Sequence, residues 1–113
     1  MSKASKKIAS LNDAFRKSPF DHSLGKTYMT SGVSALGPET VARAISAVAA
    51  FDTFSADNDP YGEHDFGSFE LDGEKLFWKI DYYSKDDPNF GSEDPSDPLK
   101  TARVLTIMLA EEY

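Results

Sequence analysis

The densest gathering of proton carriers lies between residues 57 and 65, where Asp57, Asp59, Glu63, His64 and Asp65 stand close together. A carboxylate beside an imidazole fixes its tautomer and favours its protonated form, the arrangement that prepares a general base or a metal ligand. Asp81 joins the group through the hairpin that follows. Phe69-Glu70-Leu71 and Glu74-Lys75-Leu76 flank Asp72-Gly73, a pair that accepts the positive φ angles of a two-residue type I′ turn. That turn pairs Glu70 with Lys75, Phe69 with Leu76 and Phe66 with Lys79, and a ladder continued further sets His64 opposite Asp81. Glu63, His64, Asp65 and Asp81 are therefore one candidate site.

Several observations weigh against chemistry there. His22, the only other histidine, belongs to a separate loop, and neither HExxH nor GxSxG occurs. Counting Asp57 as position 1 of a calcium loop brings Asp59 and Gly62 into register, but Ser68 stands where a bidentate Glu is needed. No glycine-rich segment precedes a helix with Lys-Ser or Lys-Thr, so no phosphate loop is present. The expected role of His64 and its acids is to brace the loop. No catalytic residue, no metal ligand set and no cofactor is assigned.

Charge points to a different kind of site. The chain of 113 residues carries a net charge of −7 and no cysteine. Residues 1–26 hold six bases against two acids, and the remainder six bases against seventeen acids. A negative body repels phosphate backbones, so direct nucleic-acid binding is not expected. A basic surface would be attracted instead. Asp59, Glu63, Asp65, Lys79, Asp81, Asp86, Asp87, Glu93 and Asp94 form the candidate partner-binding set, with carboxylates standing where nucleic-acid phosphates would lie. Cysteine-free composition fits a reducing cytoplasm, and no apolar run approaches the length of a membrane span. The expectation is a cytoplasmic protein with no membrane contact.

These residues must be held by a small number of elements. Ile8, Leu11, Ala14 and Phe15 are spaced for an amphipathic helix over residues 5–17, preceded by a basic arm at 1–7 that frays, and Ser18-Pro19 ends it. Residues 26–31 read as a strand. Pro38 suits a first helical turn, and Val41, Ala44, Ile45, Val48 and Phe51 trace one stripe of a helix running to about residue 54. On the hairpin, Phe69, Leu71, Leu76, Trp78, Ile80 and Tyr82 share the core face, while Ser68, Glu70, Lys75, Phe77, Lys79, Asp81 and Tyr83 share the other. Residues 84–98 form an acidic loop with three Asp-Pro pairs. Leu99, Ala102, Leu105, Thr106 and Leu109 predict a last helix over 99–112. The sum is one α+β domain over residues 1–113, ordered α-β-α-β-β-α, with a three-stranded antiparallel or mixed sheet, a central Asp-Gly hairpin and three helices mainly on one face.

The segments Asn58–Glu70, Phe77–Tyr83 and Arg103–Ala110 together resemble a family of small bacterial proteins of unknown function, associated with proteobacterial chromosomes, plasmids and mobile elements. That setting implies an anti-defence role, such as inhibition of a CRISPR or restriction complex. The combined expectation is a non-catalytic acidic protein-binding module that blocks the basic groove of a nucleic-acid-binding defence complex. The alternative is a small enzyme or metal-binding domain centred on His64.

Overall fold

A computed structural model describes residues 2–113. Helix α1 spans Lys3–Lys17, with Ser2 as its cap accepting from the Ser5 N–H. The basic segment is thus helical from Lys3 onward, two residues earlier than expected, because a capped first turn meets its own unpaired N–H groups. Strand β1 is Lys26–Met29, helix α2 is the single turn Ser31–Ser34, and helix α3 is Pro38–Ala50. Strands β2 (Phe66–Leu71), β3 (Glu74–Ser84) and β4 (Thr101–Leu109) follow, and a 3₁₀ turn, Ala110–Glu112, comes last.

The sheet has four strands in the order β1-β4-β3-β2, with β1 parallel to β4 and the other pairs antiparallel. Asp72 and Gly73, at φ 53° and 82°, join β2 to β3, whose ladder runs from Phe66 with Lys79 to Leu71 with Glu74. This hairpin lies at one side of the sheet, because β4 and β3 occupy its centre. The three-strand expectation fails for the same reason as the last helix. Thr101–Leu109 is a central strand, hydrogen-bonded on both edges, and contains the β-branched residues Thr101, Val104, Thr106 and Ile107. A short apolar run in such a strand fits helical spacing by accident, and periodicity alone cannot separate the two. Leu99, the expected start of the helix stripe, is instead 82% exposed.

One face of the sheet is the core. Leu76, Trp78, Ile80, Leu105, Ile107 and Leu109 meet Phe15 of α1, Val33 of α2, and Ala44 and Val48 of α3, all buried. Full burial of such aliphatic and aromatic side chains contributes about 1.5–3 kcal/mol each. Gly67 leaves room for Trp78: a Cβ there would collide with the indole nitrogen and the Phe51 ring. The second face carries Tyr28, Val104, Thr106, Lys79, Asp81 and Tyr83, and among the described residues no helix of eight residues or more packs on it. Its lower end is filled by Phe66, Phe77 and Tyr113, whose ring centres are 5.3–5.9 Å apart.

Candidate functional site

Helix α1 carries the unexpected polar core. Its buried face is Ile8, Ala9, Asn12, Phe15 and Arg16, so the apolar stripe is turned from the one its hydrophobic residues alone describe. Arg16 is 2% exposed. Its guanidinium donates to the carbonyls of Val48 (2.7 Å) and Phe51 (2.9 Å) at the end of α3, and to Asp13 (2.7 Å). The Val48 carbonyl also accepts from the Phe51 N–H at 3.3 Å, and a cation is the favoured group at a helix C-terminus. The guanidinium also stacks on Trp78 at 4.7 Å and Phe54 at 5.4 Å.

The segment after α3 is folded onto this face by Asp59. Its carboxylate is nearly fully buried and accepts from the N–H groups of Glu63 (2.9 Å) and His64 (3.2 Å). The turn so closed passes through Gly62 at φ 68° and leaves His64 at φ 56°. Left-handed backbone is costly for a non-glycine residue, of order 1 kcal/mol or more, and persists where surrounding contacts over-determine it. Two contacts do so here. The imidazole stacks on Phe54 with ring centres 3.9 Å apart and planes 1° from parallel. Nδ1 lies 2.9 and 3.1 Å from the two oxygens of Asp13. Nε2, 3.8 Å from Oδ2 of Asp59, is beyond hydrogen-bond distance of it. An ionised carboxylate only accepts, so Nδ1 carries the proton and Nε2 is left as the working atom.

Beside this pair runs a second network. Asn12 donates to Tyr82 Oη (2.8 Å) and to the Glu63 carbonyl (3.0 Å), Tyr82 donates to the Glu63 carboxylate (3.1 Å), and Arg103 Nε donates to Asn12 (2.8 Å). Burial pushes the Tyr82 phenol well above its ordinary value of 10.0 and pulls the Arg103 guanidinium down. Tyr82 therefore serves as a neutral donor and acceptor. Asp65 is held above the ordinary aspartate value by burial first and by the charge of Glu63 second. The network fixes the loop from below while Asp13 fixes His64 from the side.

His64 opens on a cleft of about 630 Å³ lined by Lys6, Ser10, Asp13, Phe54, Ser55, Asp59 and Gly62. The cleft thus offers an apolar wall, one flexible cation, hydroxyls and an imidazole oriented by a carboxylate, a set suited to moving a proton on a small polar ligand. Among the described residues, no group of three or more His, Asp or Glu converges to hold a metal ion.

The residues singled out by sequence are separated by the fold. The hairpin ladder ends at Phe66, where the Ile80 N–H donates to the Asp65 carbonyl, and His64 turns off the sheet. His64 is therefore paired with Asp13 and not with Asp81, because the left-handed step at residue 64 breaks the strand. Asp81 pairs with Lys79 at 3.1 Å on the open sheet face. Asp59 is buried, Glu63 and Asp65 are half-buried, and only Asp86, Asp87 and Glu93 stand exposed. Asp94 accepts from the Ser96 hydroxyl and N–H, and these bonds hold its carboxyl below the ordinary range. Asn12, Asp13, Arg16 and Arg103 escaped the sequence reading. The available signal was Asn12 and Arg16, four residues apart, on the face that also carries Ile8 and Phe15.

A family model described as "Protein of unknown function (DUF3768)" matches residues 29–112. The chain belongs to this family. The match begins at the last residue of β1 and so includes the strained loop, the hairpin and β4, but not α1 with Asn12, Asp13 and Arg16. No curated protein and no solved structure matches the chain. No helix among the described residues is long and apolar enough to cross a membrane.

Proposed function

We propose that the protein acts through the His64 cleft as a small acid–base catalyst, binding a polar small molecule and exchanging a proton with it at Nε2. The observation that carries this reading is the Asp13–His64 contact at 2.9 Å, made by a residue held in left-handed backbone at the mouth of the cleft. Asp13 orients the ring and stabilises its protonated form during transfer. Arg16 keeps Asp13 in place, and Asp59 holds the backbone that presents the ring. The reaction class is proton transfer or general-base hydrolysis, in which Nε2 takes a proton from a bound hydroxyl, amine or water and returns it to the leaving atom.

Hydrolysis of p-nitrophenyl acetate is a chemical probe for such an imidazole. His64→Gln is expected to remove most of the protein-dependent rate, and Asp13→Asn to lower it by about 10-fold or more, within the range general acid–base groups contribute. His22→Gln is the control and leaves the rate unchanged. Equal rates for the parent protein and His64→Gln would exclude the reading.

A second reading is supported by the exposure of Asp86, Asp87 and Glu93 on the β3–β4 connection. These acids make a local negative field able to dock on a protein with a basic nucleic-acid-binding groove, as an anti-defence inhibitor would. Asp59, Glu63 and Asp65 are engaged within the loop and contribute little to such a surface. Binding of this kind weakens steeply with salt and with Asp86→Lys/Asp87→Lys. Capture that is indifferent to both counts against it.

A further inference from the structure

We propose that the sheet face opposite the helices holds a second site, a cleft for a free nucleoside monophosphate. The cleft has a volume of about 370 Å³, within the range of small-ligand pockets. Its construction follows from strand register. Val104 faces Lys26 on one side and Asp81 on the other, and Ala102 faces Tyr83. The small side chains of Ala102 and Val104 therefore form a floor between two taller walls. One wall is β1, with Lys26 and Tyr28. The other is the end of β3, with Tyr83 and Lys85. The His22 turn and Pro88 close the end. Arg103 and Thr101 also border the cleft, but they alternate to the core face of β4, so only their backbone belongs to it.

The lining chemistry is unlike the rest of this acidic chain. Lys26, Lys85 and the imidazole of His22 line the cleft, and no acidic side chain does. Among the described residues neither lysine forms an ion pair, since the nearby Asp81 is engaged by Lys79 and Asp21 accepts from Ser23. Two ammonium groups on flexible stems suit the dispersed charge of a phosphate monoester, for which lysine acts as a point charge. Tyr28 and Tyr83, 54% and 36% exposed, stand on the two walls as aromatic surfaces on which a base can stack. The negative body around the cleft disfavours a polyanion lying across the surface, but not a dianion small enough to enter. Charge complementarity thus selects the free mononucleotide over a strand. This site is independent of the His64 cleft, which lies against α1.

Calorimetric titration of the full chain at low salt tests the assignment with AMP and UMP, adenosine, inorganic phosphate, and a 5′-phosphorylated hexadeoxyadenylate. At least one mononucleotide is expected to bind, with adenosine and phosphate each at least 10-fold weaker. Lys26→Glu/Lys85→Glu is expected to weaken the mononucleotide by at least 10-fold, and Tyr83→Ala by several-fold, with thermal melting of both variants unchanged. No mononucleotide binding at millimolar concentration overturns the proposal. So does a double variant within twofold of the parent, or phosphate binding as tightly as the nucleotide. Tighter, charge-dependent binding of the hexamer would assign the cleft to a strand end and overturn the free-nucleotide reading.

Discussion

Replacing Arg16 by Met is the sharpest test of how the site is supported, because one side chain ties α1, the end of α3 and Asp13 together. The substitution keeps length and apolar contact with Trp78 and Phe54 but removes three hydrogen bonds of 2.7, 2.9 and 2.7 Å. The Phe51 carbonyl loses its donor, at about 1–3 kcal/mol where water does not replace it, while the Val48 carbonyl keeps the Phe51 N–H at 3.3 Å. Asp13 is one-third exposed and keeps His64, so its loss is discounted to under about 1 kcal/mol. Stacking of the cation on Trp78 adds about 0.5–2 kcal/mol. Together the loss should be about 2–4 kcal/mol, a large part of the 5–15 kcal/mol typical of a domain. With a urea dependence of about 1–3 kcal/mol per molar, the unfolding midpoint should fall by about 0.7–4 M. Asp13→Asn, which leaves both carbonyl bonds in place, should cost much less. A midpoint for Arg16→Met within about 0.3 M of the parent would refute the argument that this guanidinium caps α3.

Two further outcomes follow from the same geometry. Asp65→Asn should stabilise the protein at neutral pH and lose that advantage in acid. Burial raises the folded-state pKa of Asp65, so its ionised form opposes folding above the ordinary value of 3.8, and a pH series of melting temperatures reads the difference. Gly67→Ala should destabilise by about 1–3 kcal/mol in urea unfolding, since its Cβ meets the Trp78 and Phe51 rings in the packed core; a neutral substitution would mean that those rings move freely.

What the sequence reveals here depends on distance along the chain. The Asp72-Gly73 turn is local chemistry, and the β2–β3 ladder with Leu76, Trp78 and Ile80 on its inner face follows from it. Helix α3 is similarly legible from Pro38 and the Val41–Val48 stripe, but it ends at Ala50 because Asp59 and Asn58 draw the following residues into a loop. Strand β4 reads as a helix because both its faces carry apolar residues, Leu105, Ile107 and Leu109 on one and Ala102, Val104 and Met108 on the other, so its alternation does not show in the sequence. The partner of His64 was missed for a different reason. Asp13 is 51 residues away on a helix, and a left-handed residue ends the ladder that would have pointed to Asp81. The buried Arg16 and Arg103 depend on tertiary acceptors, the carbonyls of Val48, Phe51 and Pro95, which no sequence pattern marks.

The central claim is that Asp13 presents His64 to the cleft with Nε2 free to act. Long-range ¹⁵N–¹H correlation of the imidazole rings, recorded where His64 is neutral, tests it most directly. The account predicts that His64 is the Nδ1–H tautomer, the less common form of neutral histidine, and that Asp13→Asn shifts it toward Nε2–H while His22 stays unchanged. A His64 that is Nε2–H in the parent protein, or whose tautomer is indifferent to Asp13→Asn, would contradict it.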